Sequence, residues 1–391
     1  MILERRLMQL RPSAQETAGE ALRSRGSALT SRRRLSAVRG SLSTWLFGSR
    51  FGSRFGSLRA PRFGSLLSSL TSVLVCCVST TARAECVSDG ALSPCVPANA
   101  LWTRAGASRW VGLPDPHLLT PLGTSYSVTG EYQYQPLILV APSPDPDGRE
   151  IQLVRHRVTT TLGVRIGITH RLEAGLSVPL ITYQSGAGTR GVSDRAADGV
   201  PAQALADPRL ESRYRVLADA DLGSLDAGLS LSFPLGNSSA HAREPSVVAA
   251  PELIWQIELG RFSLGVGATG RLRREVTLGT ASYGNQIGAT VATEVTLVER
   301  WLSVGVEAWT LTGLVAHDTA NAAAGRASHI DRPAEWLLNV RSSPADGLGL
   351  SLGGGTAIPL STEVTGGGTQ YLAGLGTSTA HLLLSVQYRT E

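Results

Sequence analysis

The sequence predicts an all-β protein, a transmembrane antiparallel up-and-down β-barrel of about 12 strands with short periplasmic turns and long extracellular loops. Apolar and polar residues alternate with the period of a strand along most of the chain after residue 120. Short and long connections alternate between these segments. After residue 84, no run reaches the about 18 apolar residues that a membrane helix needs.

The alternation defines the predicted strands. In residues 172–180, leucine, alanine and valine occupy one face, whereas Glu173, Gly175 and Ser177 lie on the other. The same pattern predicts strands near 124–136, 153–169, 171–182, 208–218, 223–235, 246–259, 261–273, 285–298, 301–313, 334–343, 346–358 and 376–389. These lengths suit tilted strands of about 9–11 residues that cross a bilayer with some overhang.

The connections indicate how the strands are arranged. Tight turns are predicted at 170–171, 220–221, 260–261, 299–300 and 344–346, and long polar or Gly/Pro-rich connections at 137–152, 183–207, 236–245, 274–284, 314–333 and 359–375. Because the two kinds alternate, all tight turns fall at one end of the barrel and all long connections at the other. This asymmetry is typical of outer-membrane barrels.

The composition of the two strand faces favours a membrane barrel over a soluble β-sandwich or propeller. A soluble domain needs large charged residues opposite its apolar face. Here the opposite face is mainly glycine, serine and threonine with occasional glutamate and arginine. We therefore expect the apolar face to contact lipid and the polar face to line a lumen. Aromatic residues near strand ends, such as Tyr183, Trp301, Trp309 and Trp336, are expected at the membrane interfaces.

The first part of the chain is predicted to direct export. Residues 1–84 combine a low-complexity, arginine-rich extension with a secretory signal peptide, whose apolar run at 66–78 precedes the small-residue pattern Ala82-Arg83-Ala84. We expect a lead segment over 85–120 in the periplasm, with a disulfide between Cys86 and Cys95, and the outer-membrane β-barrel over 121–391. The expected location is the outer membrane of a Gram-negative cell.

The charge of the exported part argues against nucleic-acid binding. Residues 1–84 carry 14 of the 36 basic residues and 3 of the 31 acidic ones, which leaves 22 basic and 28 acidic residues in 85–391. The mature chain is therefore mildly acidic, whereas affinity for nucleic acid depends on an excess of lysine and arginine.

Charged residues on the polar strand faces are the candidate functional residues. Alternation places ten of them in the lumen, namely Glu131, Arg157, Arg165, Glu211, Arg213, Glu258, Arg271, Glu294, Glu307 and Arg341. Two interpretations remain open: the charges pair into a network that plugs the barrel, or they line a constriction that selects charged solutes. We favour pairing, because buried charges are tolerated when they are paired.

Two glycine motifs that suggest enzymes are better explained as strand residues. Residues 265–270 match GxGxxG and residues 349–353 match GxSxG, with Ser351 as the would-be nucleophile. Both motifs need a strand followed by a helix, but alternation continues through each of them. We predict no catalytic, cofactor-binding or metal-binding residues and no cofactor.

Three segments resemble known barrel families: ITHRLEAGLSVPL (168–180), DPRLESRYRVL (207–217) and LDAGLSLSFPLG (225–236). They resemble transporter barrels of the phenol-degradation meta-pathway type and the amino-terminal barrels of the outer-membrane protein A family. The resemblance covers about residues 120–390, rests on strand and turn patterns, and implies a barrel that moves small, often hydrophobic, molecules. In one departure, the aromatic residue that barrel assembly reads at the carboxyl end is Tyr388, displaced from the end of the sequence.

The sequence thus predicts a passive pore or carrier for small solutes. Its expected partners are outer-membrane lipid, the barrel-assembly machinery and a small solute whose identity the sequence leaves open, and they do not include nucleic acid. The alternative is a structural or surface-interaction barrel with a closed lumen and no transport. An outer-membrane enzyme is a third hypothesis, but it needs a convergent Ser/His/Asp site that the sequence does not provide.

Overall fold

The computed structural model describes residues 86, 93–141, 149–188, 199–219, 221–278, 281–299, 301–314, 331–365, 368–372 and 374–390, all in the compact unit Arg62–Glu391. The extension and signal peptide predicted over 1–84 lie outside the described residues. In the described part of the chain, no helix is long and apolar enough to span a membrane.

Twelve antiparallel strands form a closed barrel. They are β1 (Thr124–Ala141), β2 (Arg149–Gly167), β3 (Leu172–Ser185), β4 (Arg209–Asp219), β5 (Gly223–Ser232), β6 (Val248–Leu259), β7 (Phe262–Arg271), β8 (Gln286–Val298), β9 (Leu302–Gly313), β10 (Ala334–Ala345), β11 (Leu348–Ala357) and β12 (Ala380–Arg389). Each strand pairs with the next, and β12 pairs back with β1 from Ser125–Arg389 to Tyr134–Ala380. The predicted fold class is confirmed.

The strand ends agree with the sequence expectation to within a few residues, except in the first hairpin. There β1 runs on to Ala141 and β2 begins at Arg149, with a register shift between Tyr134 and Leu137. The described parts of the long connections carry four short elements. These are the strand Ala204–Leu205 beside β3, the 3-10 helix Ser238–Ala240, and the hairpins Val276–Leu278 with Ala281–Tyr283 and Ser361–Thr365 with Gly368–Leu372. We call this end of the barrel the loop end and the other the turn end.

The two faces of the wall reverse the polarity of a soluble protein. On β3 the inward Glu173 is 1% exposed while the outward Leu176 is 43% exposed, and on β12 Ser385 is 2% exposed beside Leu384 at 57%. A closed sheet satisfies its backbone hydrogen bonds internally, so an apolar outer face of this kind is suited to lipid. Trp309 is an exception to the expected interfacial aromatics, because it points inward and packs against the buried Leu101.

The described part of the expected periplasmic lead lies inside the barrel. We call residues 93–122 the lumen segment. It has no helix or strand, and most of its residues are buried or half-buried against inward-facing side chains of the wall. The expectation that 85–120 lies outside the barrel is therefore corrected for these residues. Nothing in their spacing signals this position, since an irregular chain held by side chains has no periodicity.

Candidate functional site in the lumen

The lumen segment runs the length of the barrel from the loop end to the turn end. At the loop end, Cys95 is fully buried and bonded to Cys86, which confirms the expected disulfide. Ala100 N donates a hydrogen bond to Gly376 O (2.9 Å). At the turn end, Leu122 N donates to Gly167 O (2.8 Å), and the chain then turns into β1.

Side chains of the wall hold the backbone of the lumen segment. Carboxylates accept from its amides: Glu307 receives Val111 N (2.8 Å) and Gly112 N (2.7 Å). Amide and guanidinium groups donate to its carbonyls: these bonds are Arg271 Nη2 to Ala100 O (2.8 Å), Arg209 Nη2 to Thr103 O (3.1 Å), Gln256 Nε2 to Pro114 O (2.7 Å) and Arg389 Nη2 to Leu118 O (2.9 Å). Polar wall side chains thus replace the partners that a strand ladder would provide.

Two arginines of the lumen segment form ion pairs with the wall. Arg104 Nη2 lies 2.8 Å from Glu252 Oε2, and both side chains are largely buried. Arg109 Nη1 lies 2.7 Å from Glu258 Oε1. The Glu294 carboxylate lies between Arg109 and Arg341, at 3.7 Å and 2.8 Å respectively. The lumen segment is therefore attached both by its backbone and by charge.

The wall also carries a charge network of its own near the turn end. Glu173 accepts a hydrogen bond from Arg165 (3.1 Å) and forms an ion pair with Arg213 (2.7 Å), while Asp226 lies between Arg213 (3.6 Å) and Arg215. All members lie on β2 to β5, where alternation turns them inward. Such pairing reduces the cost of burying the charges in a medium that screens them poorly.

Three wall guanidiniums near the loop end bind neutral partners. Arg157 donates to Gln184 Oε1 (2.8 Å) and to the carbonyls of Ala240 and His241. Arg209 and Arg271 contact the ring of Trp102 from the lumen segment, with guanidinium carbons 5.3 Å and 4.3 Å from its centroid. Among the described residues, none of the three has a carboxylate at ion-pair distance.

The GxGxxG stretch provides space for the lumen segment. A Cβ at Gly265 would lie 2.9 Å from the Trp110 ring, and one at Gly267 would lie 2.7 Å from Leu113. Both glycines lie on the inward face of β7, which continues to Arg271 without a following helix. Residues 349–353 likewise lie within β11.

The structure places the ten charged candidates as follows. Glu131, Arg157, Arg165, Glu211, Arg213, Arg271, Glu294 and Glu307 are buried, whereas the side chains of Glu258 and Arg341, near the turn end, are 34% and 21% exposed. The same alternation would have found Glu173, Arg209, Asp226 and Glu252, which the sequence analysis did not select. No signal pointed to Arg104 or Arg109, because the lumen segment was not recognised as part of the barrel.

The lumen segment occupies the lumen of the described barrel and leaves small cavities beside it. Cavities beside the lumen segment measure about 50, 40, 20 and 10 Å³. Apolar contacts fill much of the remainder, as where Trp110 and Leu113 pack against Ile254 and Ala292. Among the described residues, no three histidine, cysteine or acidic side chains are grouped so that they could hold a metal ion.

Two titratable groups with strongly shifted pKa values lie in the connections at the loop end. Burial raises the pKa of Asp207 to about 7, although its carboxylate accepts hydrogen bonds from Gly236 N (2.7 Å) and Glu244 N (2.6 Å). Burial also lowers the pKa of His241 to about 4, assisted by the nearby charge of Arg157. Both groups are therefore held partly or wholly neutral near pH 7.

Comparisons with known proteins give structural neighbours but no relatives. No protein-family model matches the chain, and no curated protein matches it in sequence. Among solved structures, it is similar to an outer membrane channel from Pseudomonas putida F1 (TM-score 0.49, 12% identity, covering 72% of this chain and 100% of that one). It is also similar to the NanC porin (TM-score 0.41, 9% identity, 68% and 99% covered) and the KdgM porin (TM-score 0.38, 9% identity, 68% and 99% covered). These values are too low to transfer a function, and the resemblance to the phenol-degradation type stays a prediction.

Proposed function

We propose that the chain is an outer-membrane channel for small solutes, closed at rest by its own lumen segment. The observation that carries the proposal is the nature of the obstruction. A single irregular pass of chain, residues 93–122, fills much of the lumen and belongs to none of the twelve strands. It can therefore move without breaking a strand ladder, and its removal would leave a lumen lined by Arg and Glu side chains.

The orientation in the membrane follows from the connections. Tight turns lie at the periplasmic end of outer-membrane barrels and long loops lie outside the cell, so the loop end is extracellular in this proposal. The disulfide between Cys86 and Cys95 fits an oxidising compartment. Lipid around the apolar outer face and the barrel-assembly machinery are the partners that this location implies. The proposal includes no catalytic role, since residues 349–353 lie within a strand.

A second candidate is a structural barrel that stays closed. It is favoured by the apolar packing between the lumen segment and the wall, where the buried Leu101 contacts Trp309, Leu311 and Leu337. Such contacts resist water entry more strongly than exposed hydrogen bonds do. Conduction separates the two candidates.

The test fixes the lumen segment to the wall and measures ion flow. A Cβ at Gly175 would lie 3.0 Å from Ala105 Cβ. The two Cβ atoms of a disulfide are about 3.5–4.5 Å apart, so a small outward shift of the lumen segment lets two cysteines bond at these positions. Residues 85–391 carrying Ala105→Cys and Gly175→Cys are refolded, and single-channel conductance is recorded in planar bilayers before and after reduction. We expect current steps in the wild type, none in the oxidised double variant, and steps again after reduction.

Controls are the two single-cysteine variants and the wild type in the same reductant, which also opens the bond between Cys86 and Cys95. If the cross-linked barrel conducts like the wild type, closure by the lumen segment is wrong. A further variant, Arg104→Ala, removes the ion pair between the lumen segment and Glu252. If the folded wild type, this variant and the reduced double variant all show no current steps, the structural barrel is the better description.

A further inference from the structure

The half of the lumen near the loop end carries buried positive charge without carboxylate partners. Arg157, Arg209 and Arg271 are 2%, 6% and 6% exposed. Their hydrogen bonds go to neutral groups: Arg209 Nε donates to Ser177 Oγ (3.2 Å), and Arg271 Nη2 donates to a backbone carbonyl. The Arg271 Nε is buried and has no partner among the described residues. These three arginines differ from those near the turn end, where Arg165 and Arg213 both contact carboxylates.

The acidic groups nearby have other partners at one or both of their oxygens. Glu252, beside Arg271, pairs with Arg104, and Glu211, beside Arg209, pairs with Arg165. Asp207 lines the same cavity as Arg157 and Arg209, but its two oxygens accept the amides of Gly236 and Glu244. The Glu244 carboxylate receives Arg273 Nη1 at 2.9 Å. Glu131 Oε2 accepts from Asn99 Nδ2 (3.1 Å). These acids therefore reduce the field at a distance without occupying the guanidinium donors.

Trp102 divides the space beside these arginines into two cavities. The cavity of about 50 Å³ contains Arg157 and Arg209, and the cavity of about 40 Å³ contains Arg271. Each has room for a few water-sized groups, which is enough for a small anion but too small for a sugar or a nucleotide. A planar guanidinium presents paired donors that match the two oxygens of a carboxylate.

We propose that Arg157 and Arg209 bind a small monocarboxylate anion in the cavity of about 50 Å³, while Arg271 adds its charge from the other side of the Trp102 ring. As a solute site of the channel this rests on the proposed function, but anion binding itself needs no ion flow. The lumen segment would then have a second role, because its Trp102 forms one wall of the binding site. Displacing the segment would remove that wall.

The test measures binding at equilibrium. Residues 85–391, refolded in detergent and checked for heat-modifiable migration, are dialysed against radiolabelled acetate at constant ionic strength. We expect saturable binding that is weakened by about tenfold or more in Arg209→Gln. The matched control is Arg165→Gln, an equally buried arginine that has carboxylate partners, and it should retain binding.

Trp102→Leu serves as a second variant that keeps all three charges. It should weaken acetate binding if the ring orders the guanidiniums. Unlabelled chloride should compete poorly, because it cannot accept paired donors in a plane. Absence of saturable binding in the folded wild type, equal binding by Arg209→Gln, or displacement by inorganic phosphate in preference to unlabelled acetate would overturn the proposal. None of these outcomes depends on whether the barrel conducts.

Discussion

At the scale of single residues, buried carboxylates in and around the lumen hold the backbone of irregular segments in place. Glu307 shows one arrangement: its carboxylate accepts the amides of Val111 and Gly112 and so fixes the backbone of the lumen segment. Asp207 shows another, since it joins two loop amides in a buried site that disfavours its charge. A buried carboxylate bound to backbone amides orders a chain at the cost of its own desolvation.

Asp207 predicts a pH dependence of stability. Its pKa is raised from the ordinary value of 3.8 to about 7 in the folded chain, so the folded state binds this proton more tightly than the unfolded state. Its contribution to stability is greatest at low pH and is lost as pH rises from about 4 to about 7, on the order of 4 kcal/mol in total. We expect the thermal midpoint of the wild type to fall over this interval relative to Asp207→Asn, measured by heat-modifiable migration. Parallel curves for the two proteins would contradict the assignment.

At the scale of elements, the wall and the lumen segment fit one another through small residues. Gly163 on β2, Gly175 on β3 and Gly265 on β7 each face the lumen segment where a Cβ would lie 2.8–3.0 Å from one of its atoms. At these positions the inward side chain must be small because the lumen segment lies against the wall, in addition to the need for a polar face. This explains why glycine occurs on the inward face at these positions, where the lumen segment packs against the wall.

The fit at Gly265 gives a prediction about the lumen segment. Gly265→Ala places a methyl group 2.9 Å from the Trp110 ring, and we expect the crowding to cost about 1–3 kcal/mol of docking free energy. Hydrogen exchange at the amides of Val111 and Gly112, which are bonded to Glu307, should accelerate. Gly270→Ala on the same strand is the control, because its Cβ would meet only Pro251, at 3.7 Å. Equal exchange in both variants would argue against the packing described here.

At the scale of the whole molecule, the barrel separates an apolar exterior from a charged interior. Many interior charges pair with one another or with the lumen segment, while Arg157, Arg209 and Arg271 bind neutral groups. The exterior exposes leucine and valine on successive strands. A protein of this kind is stable when its surroundings are apolar. Its stability is therefore a property of the chain together with the bilayer.

A substitution at Leu384 tests whether the apolar outer face contacts lipid. This residue lies at the middle of β12, points outward and is 57% exposed. In lipid vesicles, we expect Leu384→Arg to lower the free energy of unfolding by about 2–4 kcal/mol, the cost of a charge near the centre of a bilayer, whereas Leu384→Ile changes it little. Urea unfolding followed by tryptophan fluorescence measures the difference. If both variants matched the wild type, the outer face of β12 would not be in contact with lipid.

The sequence by itself determined the barrel, its twelve strands, the alternation of turns and loops, and the inward side of every charged candidate. These follow from the period of two, because each residue on a strand faces either lipid or lumen, whatever lies across from it. Only the tertiary structure decided where the lumen segment lies, and with it the inward position of Trp309 and the partners of Arg104 and Arg109. The alternation along the chain determines which side of the wall a residue faces. Which charges meet depends on the register of each strand relative to its neighbours. The irregular lumen segment, held by side chains, has no periodic sequence pattern that would reveal its position.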